Sequence, residues 1–236
     1  MAPVPSYPRS REPRVTVGIA TYNRDTYLAE AIESVLAQEG FDRFELVVVE
    51  DGTTNPRVGE VVRSFADSRV RVVRHPSNEG IAAAYNTIVG EARGELIALL
   101  GDDDRCLPDR LGRQVAIFNR HPQTGVVHGD ASIIDGEVRE IGSWPSAELY
   151  PGQLLRTLVR RHNYLIDPTR MVHRRVYETV GRYDPSYRIS QDFHFWLRAA
   201  RRFRFRHTPG GPVICLRRHG DNLSDERNQE QERLEV

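Results

Sequence analysis

The sequence predicts an α/β fold, with a mostly parallel central sheet flanked by helices and a less regular C-terminal part. Two observations predict it. Short, near-continuous apolar runs alternate with segments of helical periodicity through the first half, the pattern of strands buried on both faces. Each of those runs also ends in a polar cluster, and ligands bind beyond the carboxyl ends of the strands in such sheets. The length of 236 residues suits one large domain or two small ones.

The elements follow in order. Val15-Thr16-Val17-Gly18-Ile19-Ala20 reads as a strand and Thr21 to Asp25 as a turn. From Tyr27 to Gln38 the apolar residues Leu28, Ala31, Ile32, Val35 and Leu36 recur at helical spacing. Phe44 to Val49 is a second buried strand, ending at Glu50-Asp51-Gly52. A helix around Val58–Phe65, a strand Val70–Arg74 and a helix Ile81–Glu91 follow. Glu95 to Leu100 is the fourth strand, and it runs into Asp102-Asp103-Asp104. After Pro108 a helix extends to about Asn119. Val126–Ile134 reads as one strand with a hairpin near Asp135-Gly136. Leu154–Arg161 reads as helix, Arg170–Val172 as a short strand, and Val176–Val180 as a helix ended by Gly181. Gln191–Arg202 is amphipathic, with Phe195, Trp196, Leu197 and Ala200 expected inward, and Val213–Leu216 is the last strand. Residues 1–13, with four prolines, read as a disordered leader, 14–224 as one domain, and 225–236 as a tail. Within the domain, 14–108 is the more regular half and 109–224 the less regular one.

The composition excludes several classes. Thirty-three basic residues balance 33 acidic ones, so no net field draws the chain to nucleic acid or an anionic membrane. Every basic residue counted there is arginine. This rules out a Schiff-base or Walker lysine and leaves arginine for any cationic phosphate contact. Cys106 and Cys215 form neither a disulfide framework nor a metal-site spacing, and no apolar run is long enough to span a membrane. A cytoplasmic location is expected.

The acidic triplet carries the chemistry. Three adjacent carboxylates repel one another. At a strand end they are tolerable if a divalent cation neutralises them, and hard oxygen ligands suit Mg²⁺ or Mn²⁺ bridging to substrate phosphates.

The motifs together resemble the family 2 glycosyltransferases, inverting enzymes of the GT-A fold. The resemblance rests on Val17 to Arg24, on Glu45 to Thr53, and on Asn78-Glu79-Gly80 with Ala84 and Asn86. It also takes in Gly94 to Pro108, Ser190-Gln191-Asp192-Phe193 with Trp196, and Arg217-Arg218-His219 with Asn222 and Ser224. It implies transfer of a sugar from a nucleotide diphosphate sugar, with UDP or dTDP as carrier, to an acceptor hydroxyl, with 14–108 as the nucleotide-binding half and 109–224 as the acceptor half. Two positions depart from the pattern. Gly101 stands where the family usually has the first acid of Asp-x-Asp, and Gln191 where it often has Glu. The Gln-x-x-Arg-Trp motif of processive synthases is absent, which implies single transfers.

By that resemblance Asp103 is the metal ligand, with Mn²⁺ or Mg²⁺ as cofactor and His219 as second ligand or diphosphate donor. Asp102 is expected at the ribose, Asp51 at the base, and Tyr22 stacked on it. Ala20, Asn78 and Gly80 belong to the same nucleotide site, with Asn86 near it. Asp104 is either a neighbour or a cap for the next helix. Asp192 is the general base, a role compatible with capping the helix it opens. Arg217, Arg218, Asn222 and Ser224 are donors for the diphosphate or acceptor. Successive residues of an extended segment point to opposite sides, so at most one of the two arginines faces the site. His128, Asp130, His162, Asn163 and His173 are further candidates for the acceptor pocket. The acceptor is open among a glycan, a lipid-linked sugar, a peptide and a small molecule. Two other readings remain: an inactive nucleotide-sugar or carbohydrate-binding module, and a nucleotidyltransferase. The second lacks its Gly-rich loop after the first strand.

Overall fold

In the computed structural model, β1 (Val15–Thr21) lies at the centre of the sheet, paired in parallel with β2 (Phe44–Asp51) on one side and β4 (Leu96–Gly101) on the other. The structure describes residues 12–146, 148–149, 153–161, 165–187, 190–220 and 222. Ser224, His162, Asn163, most of the expected leader and the whole expected tail lie outside them.

Alternation of side chains sets the layers. Val15, Val17 and Ile19 face one apolar cluster, whereas Ala20 faces the other; in β2, Leu46 and Val48 part from Val47 and Val49 in the same way. One face is covered by α1 (Leu28–Leu36), α2 (Pro56–Ser64) and α4 (Arg110–Arg120). The other carries α3 (Ile81–Glu91), α5 (Gln153–Arg161), α6 (Arg174–Val180) and α7 (Gln191–Ala200). Helix α1 stops short of the expected Gln38. That side chain turns away to donate to the Leu107 carbonyl at 2.8 Å and to accept from Leu111 N at 2.9 Å, locking the start of α4.

The main sheet holds β3 (Val70–His75), β6 (Thr124–His128), β9 (Met171–His173) and β10 (Arg204–His207) as well, in the order β10-β6-β9-β4-β1-β2-β3. Strand β9 runs antiparallel between β4 and β6; the other pairings are parallel. Strands from both expected halves thus build one sheet. A second sheet has the order β5-β11-β7-β8, from β5 (Arg105–Cys106), β7 (Ala131–Ile134), β8 (Glu140–Trp144) and β11 (Ile214–Arg217).

One expectation is corrected. Val126–Ile134 is two strands in two sheets, β6 and β7, because the backbone crosses over at Gly129. A Cβ there would stand 2.8 Å from Val213 Cγ2, so only glycine lets the chain pass at that point. In α7 the expected inward residues hold: Phe195 and Trp196 are buried together with Ala199, and Leu197 and Ala200 are half-buried against the same cluster. Both cysteines are free thiols.

Candidate functional site

The carboxyl ends of β1, β2 and β4 stop at one level, since Ala20 pairs with both Val49 and Gly101. Polar residues from three loops therefore meet there, as the sequence predicted. Tyr22, at the end of β1, is 44% exposed and presents an open ring. Ala20 is nearly buried on the α3 side of the sheet.

Asp51 is buried and holds the loop before α3. Its Oδ1 accepts from Glu79 N at 3.0 Å and lies 2.7 Å from His75 Nδ1; its Oδ2 accepts from Gly80 N at 2.9 Å. Gly80 is the N-cap of α3, and Asn78 is exposed on the same loop. Asn86 is a strut: its amide donates to the Tyr183 carbonyl and accepts from Tyr183 N.

The acidic turn folds over Gly101. A Cβ at that position would come within 2.7 Å of both Asp103 Oδ1 and Asp104 Oδ2. The missing acid at 101 is thus matched by carboxylates that curl back into the space it vacates. Asp102 Oδ1 accepts from Arg24 Nη1 at 3.1 Å. Burial, opposed by Arg24 and helped by Asp103, pushes the Asp102 carboxyl up to about 6. Asp104 caps no helix. It is buried, accepts from Arg217 N at 2.9 Å, and is pushed up to about 8 by burial and by Asp103. The N-cap of α4 is Asp109.

Asp103 is the meeting point. Its Oδ2 accepts from Arg24 Nη2 at 2.9 Å and Asn222 Nδ2 at 3.1 Å, and lies 3.0 Å from His219 Nε2. Asn222 also accepts from His219 N at 2.7 Å and donates to the Arg217 carbonyl, which closes the turn carrying the histidine. The His219 ring packs on Tyr27 with centroids 5.2 Å apart.

Arg217 is a framework residue and not a diphosphate donor. It has no exposed surface. Its guanidinium donates to the carbonyls of Asp103, Asp135 and Gly136 and to Glu30 Oε2, and it lies 4.1 Å over the Tyr27 ring. Burying a guanidinium is costly without such a full set of partners. Arg218 is half-buried, and its N–H continues the second sheet by donating to the Ile134 carbonyl.

Asp192 lies half-buried in the first turn of α7, where the helix dipole favours a negative charge. The helix's N-cap is Ser190, without a side-chain bond. Tyr85, on α3, links this end to the acidic turn. Burial and then the charges of Asp167, Asp192, Asp102 and Asp104 hold its phenol well above the usual value. Behind Asp192, Asp167 pairs with Arg170 and accepts from Trp196 Nε1 at 3.1 Å. Burial, opposed by Arg170 and helped by Asp192, pushes Asp167 up to about 6.

Among the other acceptor-side candidates, His128 and Asp130 lie at the site end of β6. His128 Nδ1 is 3.0 Å from Ser146 Oγ, and Asp130 Oδ1 is 2.8 Å from His207 Nε2. His173 is excluded: it pairs with Leu96 at the opposite end of the sheet and caps α6 by accepting from Arg175 N. Sequence reasoning missed the roles of Arg24, Tyr85 and Asn23. Asn23 Oδ1 accepts from Thr53 Oγ1, Thr54 N and Asn55 N, tying the first loop to the second.

A divalent cation fits part of this donor set. Asp103 offers a hard oxygen and His219 an imidazole nitrogen within 3.0 Å of each other. Among the described residues no cluster of three or more His, Cys, Asp or Glu side chains could hold a metal. A cation here would complete its shell from a bound diphosphate and water.

Comparison with known proteins bears on the family and the fold. The family description Glycosyl transferase family 2 matches residues 16–181, a span that takes in Asp51 and Asp103 and stops before Asp192 and His219. The chain is 29% identical over 190 residues to a Methanocaldococcus jannaschii protein named uncharacterized glycosyltransferase MJ1057, covering 79% of this chain and 64% of that one. It is 38% identical over 138 residues to the succinoglycan biosynthesis protein ExoO of Rhizobium meliloti, covering 58% and 38%. The chain thus spans less than two thirds of both relatives. Its fold is similar to that of residues 1-349 of S. aureus TarS in complex with UDP-GlcNAc, with a TM-score of 0.73 and 20% identity over 94% of this chain and 65% of that one. Among the described residues no helix is long and apolar enough to cross a membrane.

Proposed function

The chain belongs to glycosyl transferase family 2, and from that premise we propose that it transfers a sugar, with inversion and one unit at a time, from a UDP- or dTDP-sugar to an acceptor hydroxyl. The observation that carries this reading is the convergence of two acidic groups on Tyr85: the charges of Asp102 and Asp104 in the acidic turn and of Asp192 on α7 all act on its phenol. Inverting transfer needs charge control at the leaving group and a base at the incoming one.

The chemistry follows from these residues. Asp192 takes the proton of the acceptor hydroxyl, whose oxygen forms the new bond to the anomeric carbon as the bond to the diphosphate oxygen breaks. The nucleoside diphosphate leaves with that electron pair. Asp103 and His219 would hold Mn²⁺ or Mg²⁺, which when bound counters the charge gathering on the leaving diphosphate. The Asp51 loop and the open Tyr22 ring anchor the nucleoside away from the reacting carbon, so that remote binding positions the sugar. The UDP-GlcNAc complex of the TarS structure supports a uridine donor. The name of ExoO supports a glycan or lipid-linked sugar as acceptor.

The test is release of UDP or dTDP from a panel of nucleotide sugars with Mn²⁺ or Mg²⁺, using wild type, Asp103→Ala and Asp192→Asn. Turnover is expected in wild type alone, with Asp192→Asn still binding the donor. Donor binding without turnover over a broad acceptor panel would favour the reading as an inactive module, and equal turnover in Asp192→Asn would remove that residue as base.

A further inference from the structure

We propose that Arg24 is the resident counter-cation of the acidic turn and that it gives Asp103 up to a divalent cation only when a nucleoside diphosphate takes the guanidinium. The inference rests on the metal-dependent reading above.

Three distances carry it. Arg24 Nη2 lies 2.9 Å from Asp103 Oδ2 and 3.2 Å from His219 Nε2, and those two atoms are 3.0 Å from each other. One guanidinium nitrogen therefore sits on the same pair of donors that suits a metal. Its twin, Nη1, donates to Asp102 Oδ1, so the fork spans two carboxylates. A single His219 Nε2 cannot both donate to Asp103 and accept from Arg24. With the proton on Nδ1 it accepts from Arg24 here and keeps the lone pair that a metal requires.

Charge makes the two cations exclusive. Asp104 is engaged by Arg217 N at 2.9 Å, and Gly101 supplies no acid. Asp102 and Asp103 are the carboxylates of the turn that face Arg24. A guanidinium together with a divalent ion would place an excess of positive charge on them at hydrogen-bond distance. A diphosphate reverses that balance, because it offers Arg24 a bidentate anionic partner and brings the remaining oxygen ligands for the metal.

The side chain is able to make the exchange. Arg24 is 29% exposed on the loop after β1, and Thr21 Oγ1 holds that loop by donating to the Arg24 carbonyl at 3.2 Å. The backbone stays in place while the long side chain turns.

The experiment uses the full chain and Mn²⁺ binding followed by electron paramagnetic resonance, with and without UDP. Wild type is expected to bind Mn²⁺ at least about tenfold more tightly with UDP than without it. Arg24→Gln should raise nucleotide-free Mn²⁺ affinity by about tenfold or more, while Arg24→Lys, which keeps the charge, should not. In EDTA, calorimetry should show Arg24→Gln weakening UDP by about tenfold and leaving uridine unchanged. Unchanged Mn²⁺ affinity in Arg24→Gln overturns the exchange. If wild type with UDP binds no Mn²⁺, the metal reading fails separately, and an unchanged UDP affinity in the EDTA arm then overturns the role of Arg24.

Discussion

Trp196 Nε1 donates to Asp167 Oδ1 at 3.1 Å, and the Trp196 ring lies 4.0 Å under the Arg170 guanidinium. This ties α7, which carries Asp192, to the turn before β9. Arg170 is buried, and its Nε and Nη2 find no partner among the described residues, so Asp167 is its essential counter-charge. Asp167→Ala should cost about 3–5 kcal/mol of stability, because a buried charge loses its partner. Urea denaturation reads this out, and a cost below about 1 kcal/mol would show that the pair does not hold α7.

Gly101 is required by its neighbours. Asp103 Oδ2 is held by Arg24 and Asn222 and Asp104 Oδ1 by Arg217 N, so neither carboxylate can move aside for a Cβ without losing them. Gly101→Ala should therefore destabilise by about 1–3 kcal/mol. Gly101→Asp, although it restores the acid usual in the family, should weaken UDP-dependent Mn²⁺ binding. Tighter binding in that variant would contradict the packing argument.

A pH dependence follows from His128. Burial, then the nearby His207 and Arg170, lower it from 6.5 to about 3. A histidine depressed in the folded state opposes protonation there, so its contribution is complete above about 6.5 and is lost as pH falls from there toward 3. Asp102, Asp104 and Asp167 are shifted upward and act in the opposite sense, so the comparison must be with His128→Gln. The stability gap between wild type and that variant should narrow by about 2 kcal/mol between pH 7.5 and pH 4.5. Parallel denaturation curves across that range would refute it.

Asp51 offers a separation of binding from turnover. Asp51→Asn removes a carboxylate that accepts from Glu79 N, Gly80 N and the neighbouring His75. The expected result is weaker UDP binding by about tenfold, near 1.4 kcal/mol, with kcat at saturating donor little changed. A fall in kcat with unchanged KM would place Asp51 in the chemical step instead.

The first four strands and the cluster at their ends were legible because each motif is contiguous and sits where an apolar run stops. What joins the motifs was not. The letters Thr21 to Arg24 name an arginine, but not that its fork reaches Asp102 and Asp103 far along the chain. The pair Arg217-Arg218 reads as exposed donors, yet the carbonyls that take Arg217 into the interior come from Asp103, Asp135 and Gly136. The break between β6 and β7 was hidden by continuous apolarity, and the alternating arginines of Arg204–His207 left β10 unassigned. In α7, periodicity identified both the helix and its inward face, and packing added Ala199 to that face.

The reversed strand β9 has a consequence for synthesis. It is the only partner of β4 on the side away from β1 among the described strands, and it is translated long after β4. Until Met171–His173 emerges, Leu96–Ala98 present an apolar edge with open hydrogen bonds, the kind of edge that recruits foreign strands. The nascent chain is thus most prone to aggregate while its nucleotide-facing strands are already made, and a fragment ending before residue 171 would keep that edge open.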